Sequence, residues 1–397
     1  MTDLAALVEQ LDDPAFYADD PFPVYAELRA HDPLARHPGG FRIVSRHTDV
    51  LRISRDPEAF CSGRGILLMD IGRELPDTPG ALLYVDPPQH TRYRELVNPS
   101  FTGARVRALE SWVRDLARGL IERIDPGTPI DIVEHVTVPF PLLVIAELLG
   151  VPAEDRDRFQ AWSDAMIRAT NEPGGVPDDD SSWQLGEFVN YLLEVFVDRR
   201  AHPRPDLVTE LIGATVDGER LDDGELLMFC IQLLVAGNET TRNLLSAGLL
   251  AFAASPKQWD RLREDPALVP SAAEELLRYT SPVISFMRTA TRPVEVGGIP
   301  IEEGEHLLLL YASANRDEAV FGPTAERFDV GRHPNHHVGF GFGAHFCLGA
   351  ALARLETRVF LEELLARFVR IEVAGPVIRT PSTVIAGVTR AELVLSA

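Results

Sequence analysis

The sequence predicts a mainly helical fold with small β-sheets, organised around one long central helix. The longest helical pattern starts at a capping stretch over 221–225 and runs to about residue 254, where Ser255 and Pro256 end it. About 30 residues at 1.5 Å each give a helix of about 45 Å, long enough to cross a whole domain. Strand patterns are short and few, namely residues 41–44, a hairpin over 294–301 and an apolar strand over 307–311. A helix of about 45 Å must run through the core of the domain.

We expect one domain over residues 1–397. The 397 residues allow two or three domains by length alone. However, the prolines are scattered, and no Ser/Gly linker or repeat period is visible. The first ten residues lack the basic flank and the long apolar run of a signal peptide or a membrane anchor. We expect a monomer located in the cytoplasm.

Charge and cysteine content exclude several classes of partner and fold. The formal net charge of -22 makes nucleic acid and anionic membranes poor partners. The three cysteines, Cys61, Cys230 and Cys347, are odd in number and far apart, which argues against a disulfide framework and for a reducing compartment. Cys61 and Cys230 are interpreted as ordinary thiols.

The first 84 residues predict a small sheet against helices, followed by an apolar loop. A short helix starts at Pro21 and Pro23, and a helical pattern over 48–54 follows the strand over 41–44. Residues 62–84 are rich in Gly and Pro but also carry large apolar side chains. An apolar loop of that length is uncommon without a function. It is either a lid over a lipophilic pocket or a loop collapsed onto the core.

Two basic groups come next. Asp86 and two prolines predict a helix start, which places His90 and Arg94 four residues apart on one helical face. Two cationic or donor groups so placed can hold a buried carboxylate. Without other evidence, a histidine and an arginine at this spacing most often lie on a solvent-exposed face of a helix.

The middle of the chain is predicted to be helical. Helical patterns cover 104–124, a dense apolar stretch over 131–149 that we assign to the core, and two amphipathic segments over 154–170 and 183–200. A polar segment over 171–182 separates the last two.

The centre of the long helix is polar, over residues 236–243. A polar cluster inside a buried helix is costly unless it is satisfied or used. Gly237 allows a close approach to the backbone, and a threonine hydroxyl such as that of Thr240 can bond the carbonyl four residues back. The plain alternative is a helix cap or a buried ion pair between Glu239 and Arg242.

The most specific motif is the stretch Phe-Gly-Phe-Gly-Ala-His-Phe-Cys-Leu-Gly over 340–349. Cys347 follows a glycine-rich bend and precedes a helical pattern, so free N–H groups and the positive end of the helix dipole face its sulfur. A thiolate is expected to be stabilised there. A lone cysteine is usually a small buried hydrophobe, but here the glycines leave room for a flat, bulky group and Phe340 supplies apolar cover. We predict a buried thiolate able to ligate iron.

This pattern, aromatic-Gly-x-Gly-x-His-x-Cys-x-Gly, resembles the haem-binding loop of the cytochrome P450 family at every position. The resemblance implies the cytochrome P450 fold, with the long helix crossing the core over a buried haem b whose iron is held by the thiolate of Cys347. It also implies that haem propionates are bound by His90, Arg94, Arg288 and His345. No second Cys/His pair exists at zinc spacing, which argues against zinc.

The resemblance assigns further residues. Thr240 would organise hydrogen bonds to dioxygen, and Glu239 would help relay protons from solvent. Glu275 and Arg278 match a buried structural network that a later arginine closes, either Arg327 or Arg332. The segments over 154–200 match the roof that opens for substrate. The candidate pocket residues are Leu233, Ala236, Val283, Ile284 and Val384.

The implied function is that of a haem-thiolate monooxygenase. It would insert one oxygen atom from O2 into a C–H bond of a small lipophilic substrate, for which a sterol, terpenoid or branched lipid is favoured. No reductase-like extension is visible, so electrons would come from a ferredoxin and its ferredoxin reductase. The positive charge of Arg105, Arg107, Arg354 and Arg358 is the sole basis on which we expect a docking patch for the ferredoxin there.

Three alternatives stay open. The substrate could instead be a macrolide, polyketide or other natural product. A haem-thiolate peroxygenase usually dispenses with the acid-alcohol pair, which is intact here as Glu239 and Thr240. A haem sensor or electron carrier needs neither that pair nor a large apolar lid.

Overall fold

The computed structural model describes residues 4–75, 78–171 and 178–397, with no side-chain description for 167–171. The α-helices, in chain order, are α1 (Leu4–Val8), α2 (Phe22–His31), α3 (His47–Ser54), α4 (Gln89–Val97), α5 (Gly103–Ala108), α6 (Glu110–Ile121), α7 (Pro139–Leu148), α8 (Arg156–Asn171), α9 (Asp179–Ala201), α10 (Leu207–Gly213), α11 (Asp223–Ala254), α12 (Pro256–Glu264), α13 (Val269–Thr280), α14 (Tyr311–Ala314), α15 (Glu318–Phe321) and α16 (Ala350–Arg367). The strands are β1 (Phe41–Val44), β2 (Phe60–Cys61), β3 (Pro129–Asp131), β4 (Ser285–Ala290), β5 (Val294–Val296), β6 (Ile299–Ile301), β7 (His306–Leu310), β8 (Arg370–Arg379) and β9 (Val388–Ser396). The mainly helical fold with small sheets is confirmed.

The long central helix is α11, and its start is fixed by a capping box. The Glu225 N–H donates to Asp222 Oδ1 (2.8 Å), and the Asp222 N–H donates to Glu225 Oε2 (2.9 Å), so two otherwise unpaired donors are satisfied. The helix ends at Ala254, and Pro256 starts the next one. Helices α7, α8, α9, α13 and α16 contact α11. The helix therefore runs through the main apolar core.

Three small sheets flank the helices. The first has the strand order β1-β7-β4-β2, with β1 parallel to β7 and the other pairs antiparallel. The second is the antiparallel sheet β3-β9-β8, and the third is the hairpin β5-β6. Strand β7 ends one residue earlier than expected, because Tyr311 begins α14. The sheet β3-β9-β8 has no counterpart among the sequence predictions.

Two helical predictions need adjustment. The helix expected over 104–124 is two helices, because the chain breaks at Leu109 between α5 and α6. The two amphipathic segments are the helices α8 and α9, which pack against each other. Of the polar segment predicted over 171–182, residues 172–177 lie outside the described residues.

A fully buried ion network holds α13 to the segment before the cysteine loop. Arg278 donates to both carboxylate oxygens of Glu275 (2.7 and 2.8 Å), and both side chains are 0% exposed. Arg332 Nε lies 3.1 and 3.2 Å from the same two oxygens. Arg327 takes part only through its backbone oxygen, which accepts hydrogen bonds from Arg278 and Arg332. Arg332 is therefore the arginine that completes the network.

Candidate active site

A large cavity lies between α11, α16 and the cysteine loop, and β4 and the apolar loop over 62–84 complete its walls. Its empty volume is about 1580 Å³, part of which is open to solvent. Cys347 and Thr240 both line it. The two motifs that are far apart in sequence therefore face one space.

The cysteine loop adopts a conformation that requires glycine. Gly341 and Gly343 have φ values of +66° and +73°, and a Cβ on Gly343 would overlap the carbonyl oxygen of Ser54. The Cys347 N–H donates to the Phe340 carbonyl oxygen (2.9 Å), which closes the loop. Helix α16 begins three residues after the cysteine. The glycines thus let the loop pass close to α3 and turn the thiol into the cavity.

The electrostatics of the thiol differ from the sequence expectation. Burial raises the pKa of Cys347, although the Gly349 N–H and the charges of Arg94 and Arg354 act in the opposite direction. Burial thus acts against the helix N-terminus at this thiol. A coordinated metal ion deprotonates a thiol outright, so a metal would complete the site.

Four basic side chains line the cavity on one side. They are His90, Arg94, Arg288 and His345. Among the described residues, no carboxylate oxygen lies within 4 Å of either guanidinium, and His90 Nε2 is buried without a hydrogen-bond partner. Arg288 is 7% exposed, and a cation buried to that extent requires an anion. The two propionates of a haem match the two unpaired guanidinium groups, so these residues fit the cofactor.

The pKa values of both histidines are lowered, so their rings are neutral. Burial, together with the charge of Arg94, lowers the pKa of His90 to about 4. Burial and the charge of Arg288 lower the pKa of His345 to about 2. The rings lie 4.2 Å apart, and His345 Nε2 is 3.1 Å from Ser62 Oγ. The positive charge of the cluster therefore comes from the two arginines.

The polar centre of α11 is divided between two faces. Thr240 faces the cavity, and its hydroxyl donates to the Ala236 carbonyl oxygen (2.7 Å). Glu239 is 7% exposed and does not line the cavity. Its Oε1 is 3.6 Å from Arg242 Nη2, too far for a hydrogen bond. Burial raises the pKa of Glu239, and Arg242 only partly offsets this. The alternative ion pair between Glu239 and Arg242 therefore exists, but without a hydrogen bond.

Three of the five predicted pocket residues line the cavity, namely Leu233, Ala236 and Val283. Ile284 does not, because it packs in the N-terminal cluster with Leu310 and Ala312. Val384 does not either, and its carbonyl oxygen accepts the Ile284 N–H (2.7 Å). The structure therefore places neither Ile284 nor Val384 on the cavity wall.

Gly237 has a packing role. A Cβ there would lie 2.7 Å from Ile145 Cδ1, so the close approach is made by α7. The glycine therefore lets α7 pack closely against α11, and it also lines the cavity.

One part of the apolar loop over 62–84 lines the cavity, and another part packs onto the core. Ile66, Leu82 and Leu83 line the cavity. Leu68 and Ile71 pack against the N-terminal cluster. Residues 76 and 77 of this loop lie outside the described residues.

Gln232 and Glu356 are polar cavity residues that the sequence analysis did not assign to the site. Gln232 lies eight residues before Thr240 on the same face of α11, so helical periodicity could have found it. Glu356 on α16 is 1% exposed, and burial raises its pKa well above the usual range. No sequence signal marks Glu356 among its neighbours.

The arginines assigned to a docking patch are mostly neutralised. Arg105 pairs with Glu210 (2.6 Å) and Arg358 with Glu110 (2.7 Å). Arg354 pairs with Glu274 (2.6 Å). Arg107 makes no ion pair within the described part of the chain. Neighbouring carboxylates therefore compensate the charge of three of these four arginines.

A thiol that faces a large cavity, two unpaired guanidiniums beside it and a threonine on a crossing helix together define the pocket of a haem-thiolate enzyme. Comparisons with known proteins agree. The family model for cytochrome P450 matches residues 184–375. The linalool 8-monooxygenase of Pseudomonas putida is 36% identical over 97% of this chain and 98% of its own length. The steroid C26-monooxygenase of Mycobacterium tuberculosis (strain H37Rv) is 39% identical over 90% of this chain and 88% of its own. Cytochrome P450 CYP109Q5 from Chondromyces apiculatus has a TM-score of 0.88 at 37% identity, with 98% of each chain covered.

The chain belongs to the cytochrome P450 family. It is therefore a monooxygenase whose cofactor is haem, with the iron held by a cysteine thiolate. A search of the described helices finds none that is long and apolar enough to cross a membrane.

Proposed function

We propose that this monooxygenase hydroxylates a C–H bond of a sterol, terpenoid or branched lipid. The observation that carries the proposal is the apolar wall that α11 presents to the cavity, with Phe229, Leu233 and Ala236 opposite Leu82 and Phe286. Apolar pockets with few polar groups suit lipophilic ligands. Named relatives support the class, since they include a linalool 8-monooxygenase and a vitamin D(3) 25-hydroxylase of Pseudonocardia autotrophica.

A natural-product substrate is the second candidate. It is favoured by the likeness to P450 EryK, whose mutant was solved with erythromycin B (TM-score 0.84, 34% identity, 95% of this chain and 96% of that chain covered).

The residues of the site have distinct roles in this proposal. Cys347 is the thiolate ligand, and Phe340 covers the loop. Arg94 and Arg288 neutralise the two propionates, while His90 and His345 donate hydrogen bonds to them. When bound, the haem supplies the oxidising chemistry that inserts one atom of O2 into the substrate and reduces the other to water.

Thr240 and Glu239 serve the proton supply. Because the Thr240 hydroxyl gives its own hydrogen to Ala236, its oxygen is left to accept a hydrogen bond from the cavity. Glu239 is held protonated to a higher pH by burial, so it can pass a proton to the cavity side of the helix when its contact with Arg242 breaks.

Thr240→Ala tests this role. The variant should keep its fold and consume NAD(P)H, but product formation should fall by about 100-fold, the lower end of what a positioned proton-transfer group contributes. Reducing equivalents should then appear as hydrogen peroxide. Product, peroxide and NAD(P)H are measured together. Thr280→Ala is the matched control, because Thr280 makes the same bond to the carbonyl four residues back, on α13 and outside the cavity. Unchanged product per NAD(P)H in Thr240→Ala contradicts the role.

We also propose that a ferredoxin and its reductase supply the two electrons, to a single-domain monomer in the cytoplasm. Arg107 is the one residue of the assigned patch whose charge is not compensated within the described part of the chain. The purified enzyme is supplied with ferredoxin, reductase and NAD(P)H, and a panel of sterols, terpenoids, branched lipids and macrolides is screened for hydroxylated products. Turnover of the apolar classes that depends on ferredoxin is expected. Turnover with hydrogen peroxide alone, or of macrolides only, contradicts the proposal.

A further inference from the structure

One uncharged polar side chain stands in the apolar wall of the cavity. Gln232 lies on α11 next to Phe229, Leu233 and Ala236, all of which line the cavity with it. Its Nε2 donates to the Gly80 carbonyl oxygen (2.7 Å) and to the Met228 carbonyl oxygen (3.1 Å). Its Oε1 is 3.4 Å from the Leu83 N–H. The amide is thus held by the apolar loop on one side and by its own helix on the other.

These contacts fix which way the amide points. Both hydrogens of Nε2 are used on carbonyl oxygens, and a flipped amide would set its oxygen against those same two oxygens. The oxygen Oε1 has two lone pairs, and its one contact is at the long limit of a hydrogen bond. Gln232 therefore offers the cavity an acceptor and no donor.

The helix α11 sets the separation between Gln232 and Thr240. Gln232 and Thr240 are eight residues apart on one face of α11, which corresponds to about 12 Å along the axis. The cavity surface between them is made by Leu233, Ala236 and Gly237, which bring no side-chain hydrogen-bonding group. An elongated ligand would thus meet an acceptor at one end and Thr240 at the other.

We propose that Gln232 determines specificity by accepting a hydrogen bond from a hydroxyl at the end of the substrate remote from Thr240, which lies about 12 Å away along the axis of α11. The inference rests on the proposed function and deepens it, because it selects hydroxylated lipids such as sterols and terpenoid alcohols. A ketone or a carboxylate at the same place would set oxygen against oxygen and is disfavoured. A hydrocarbon would leave Oε1 without this partner.

The loop does not depend on Gln232 alone, which makes the residue testable. The Gly80 N–H donates to Tyr93 Oη (3.0 Å), and Tyr93 donates to Glu225 (2.9 Å). A Cβ on Gly80 would lie 2.6 Å from the Glu225 carbonyl oxygen. Removing the Gln232 amide therefore leaves the loop anchored, whereas Gly80→Ala moves the loop and leaves the amide on α11.

The experiment is a spectral titration of the holoenzyme with matched ligands. The ligands are an alcohol, its ketone and its parent hydrocarbon, on a steroid and on a linear terpenoid skeleton, and the spin-state shift gives each Kd. The wild type should bind the alcohol about 3- to 10-fold more tightly than the ketone, as expected for one neutral hydrogen bond. In Gln232→Leu this ratio should fall to about 1, with hydrocarbon binding kept or improved, since the acceptor is gone.

Two further variants complete the design. Gln160→Leu makes the same chemical change on an exposed position of α8 and should keep the wild-type ratio. Gly80→Ala displaces the carbonyl group that orients the Gln232 amide, so it should weaken all three ligands and also lower the ratio. The inference is overturned if the wild type binds the ketone as tightly as the alcohol, or if Gln232→Leu still prefers the alcohol. If neither skeleton shifts the spectrum of a haem-loaded enzyme, the proposed substrate class fails and the inference fails with it.

Discussion

Cys347→Ser should abolish monooxygenation and remove the thiolate signature from the haem spectrum. Serine fills nearly the same volume, and the loop is closed by the backbone bond from residue 347 to Phe340, which the substitution keeps. The fold should therefore survive while the iron loses its electron-donating ligand. Product formation should drop to the background of the protein-free reaction, and haem content should fall because only the propionate contacts remain. Turnover with ferredoxin, haem content and the reduced spectrum are the measurements.

Cys61→Ser is the matched control for this prediction. Cys61 is 7% exposed in β2 and does not line the cavity, so its loss should leave turnover and spectrum unchanged. If Cys347→Ser hydroxylates substrate at the wild-type rate, Cys347 is not the ligand.

Glu275→Gln should lower the free energy of unfolding by about 3–5 kcal/mol, as expected when one partner of a buried ion pair is removed. The carboxylate is 0% exposed and accepts from Arg278, Arg332, Asn335 and the Asp329 N–H. Without it two buried guanidiniums lose their only anion among the described residues. Denaturant unfolding of the holoenzyme, followed by haem absorbance and by circular dichroism, measures the change.

The control uses an ion pair with the same i,i+3 spacing at the surface. Arg118 and Asp115 lie 3.6 Å apart, with side chains 48% and 72% exposed. Asp115→Asn should therefore change the free energy of unfolding by less than about 1 kcal/mol, because solvent screens exposed pairs. A Glu275→Gln variant as stable as Asp115→Asn would show that the network does not stabilise the fold.

The sequence predicted those parts of the fold that depend on interactions between residues close in the chain. The start of α11 was visible because a capping box is written in consecutive residues, and its end because Pro256 cannot continue a helix. Strands β8 and β9 were not predicted. In β8 most side chains are exposed, and the register shifts around Gly375, so no clean alternation of apolar residues marks it. The bounds of β8 are therefore set by its hydrogen bonds to β9, which its own sequence does not reveal.

The candidate site likewise has residues that the sequence predicted and residues that only the structure reveals. Residues that belong to compact motifs, such as Cys347, His345 and Thr240, line the cavity as predicted. Ile284 was misassigned because its packing in the N-terminal cluster involves residues distant in the chain. Arg332 could not be chosen over Arg327 because both precede the cysteine loop. The charge balance at Cys347 also needed the structure, because burial is not readable from adjacent residues.

The most direct test of the account is the absorption spectrum of the purified, reduced protein under carbon monoxide. A strongly red-shifted Soret band is expected, because a thiolate opposite the carbon monoxide pushes electron density onto the iron. A protein without haem, or a Soret band at the position of histidine ligation, would remove Cys347 from its role and contradict the assignment of this cavity as a haem-thiolate site.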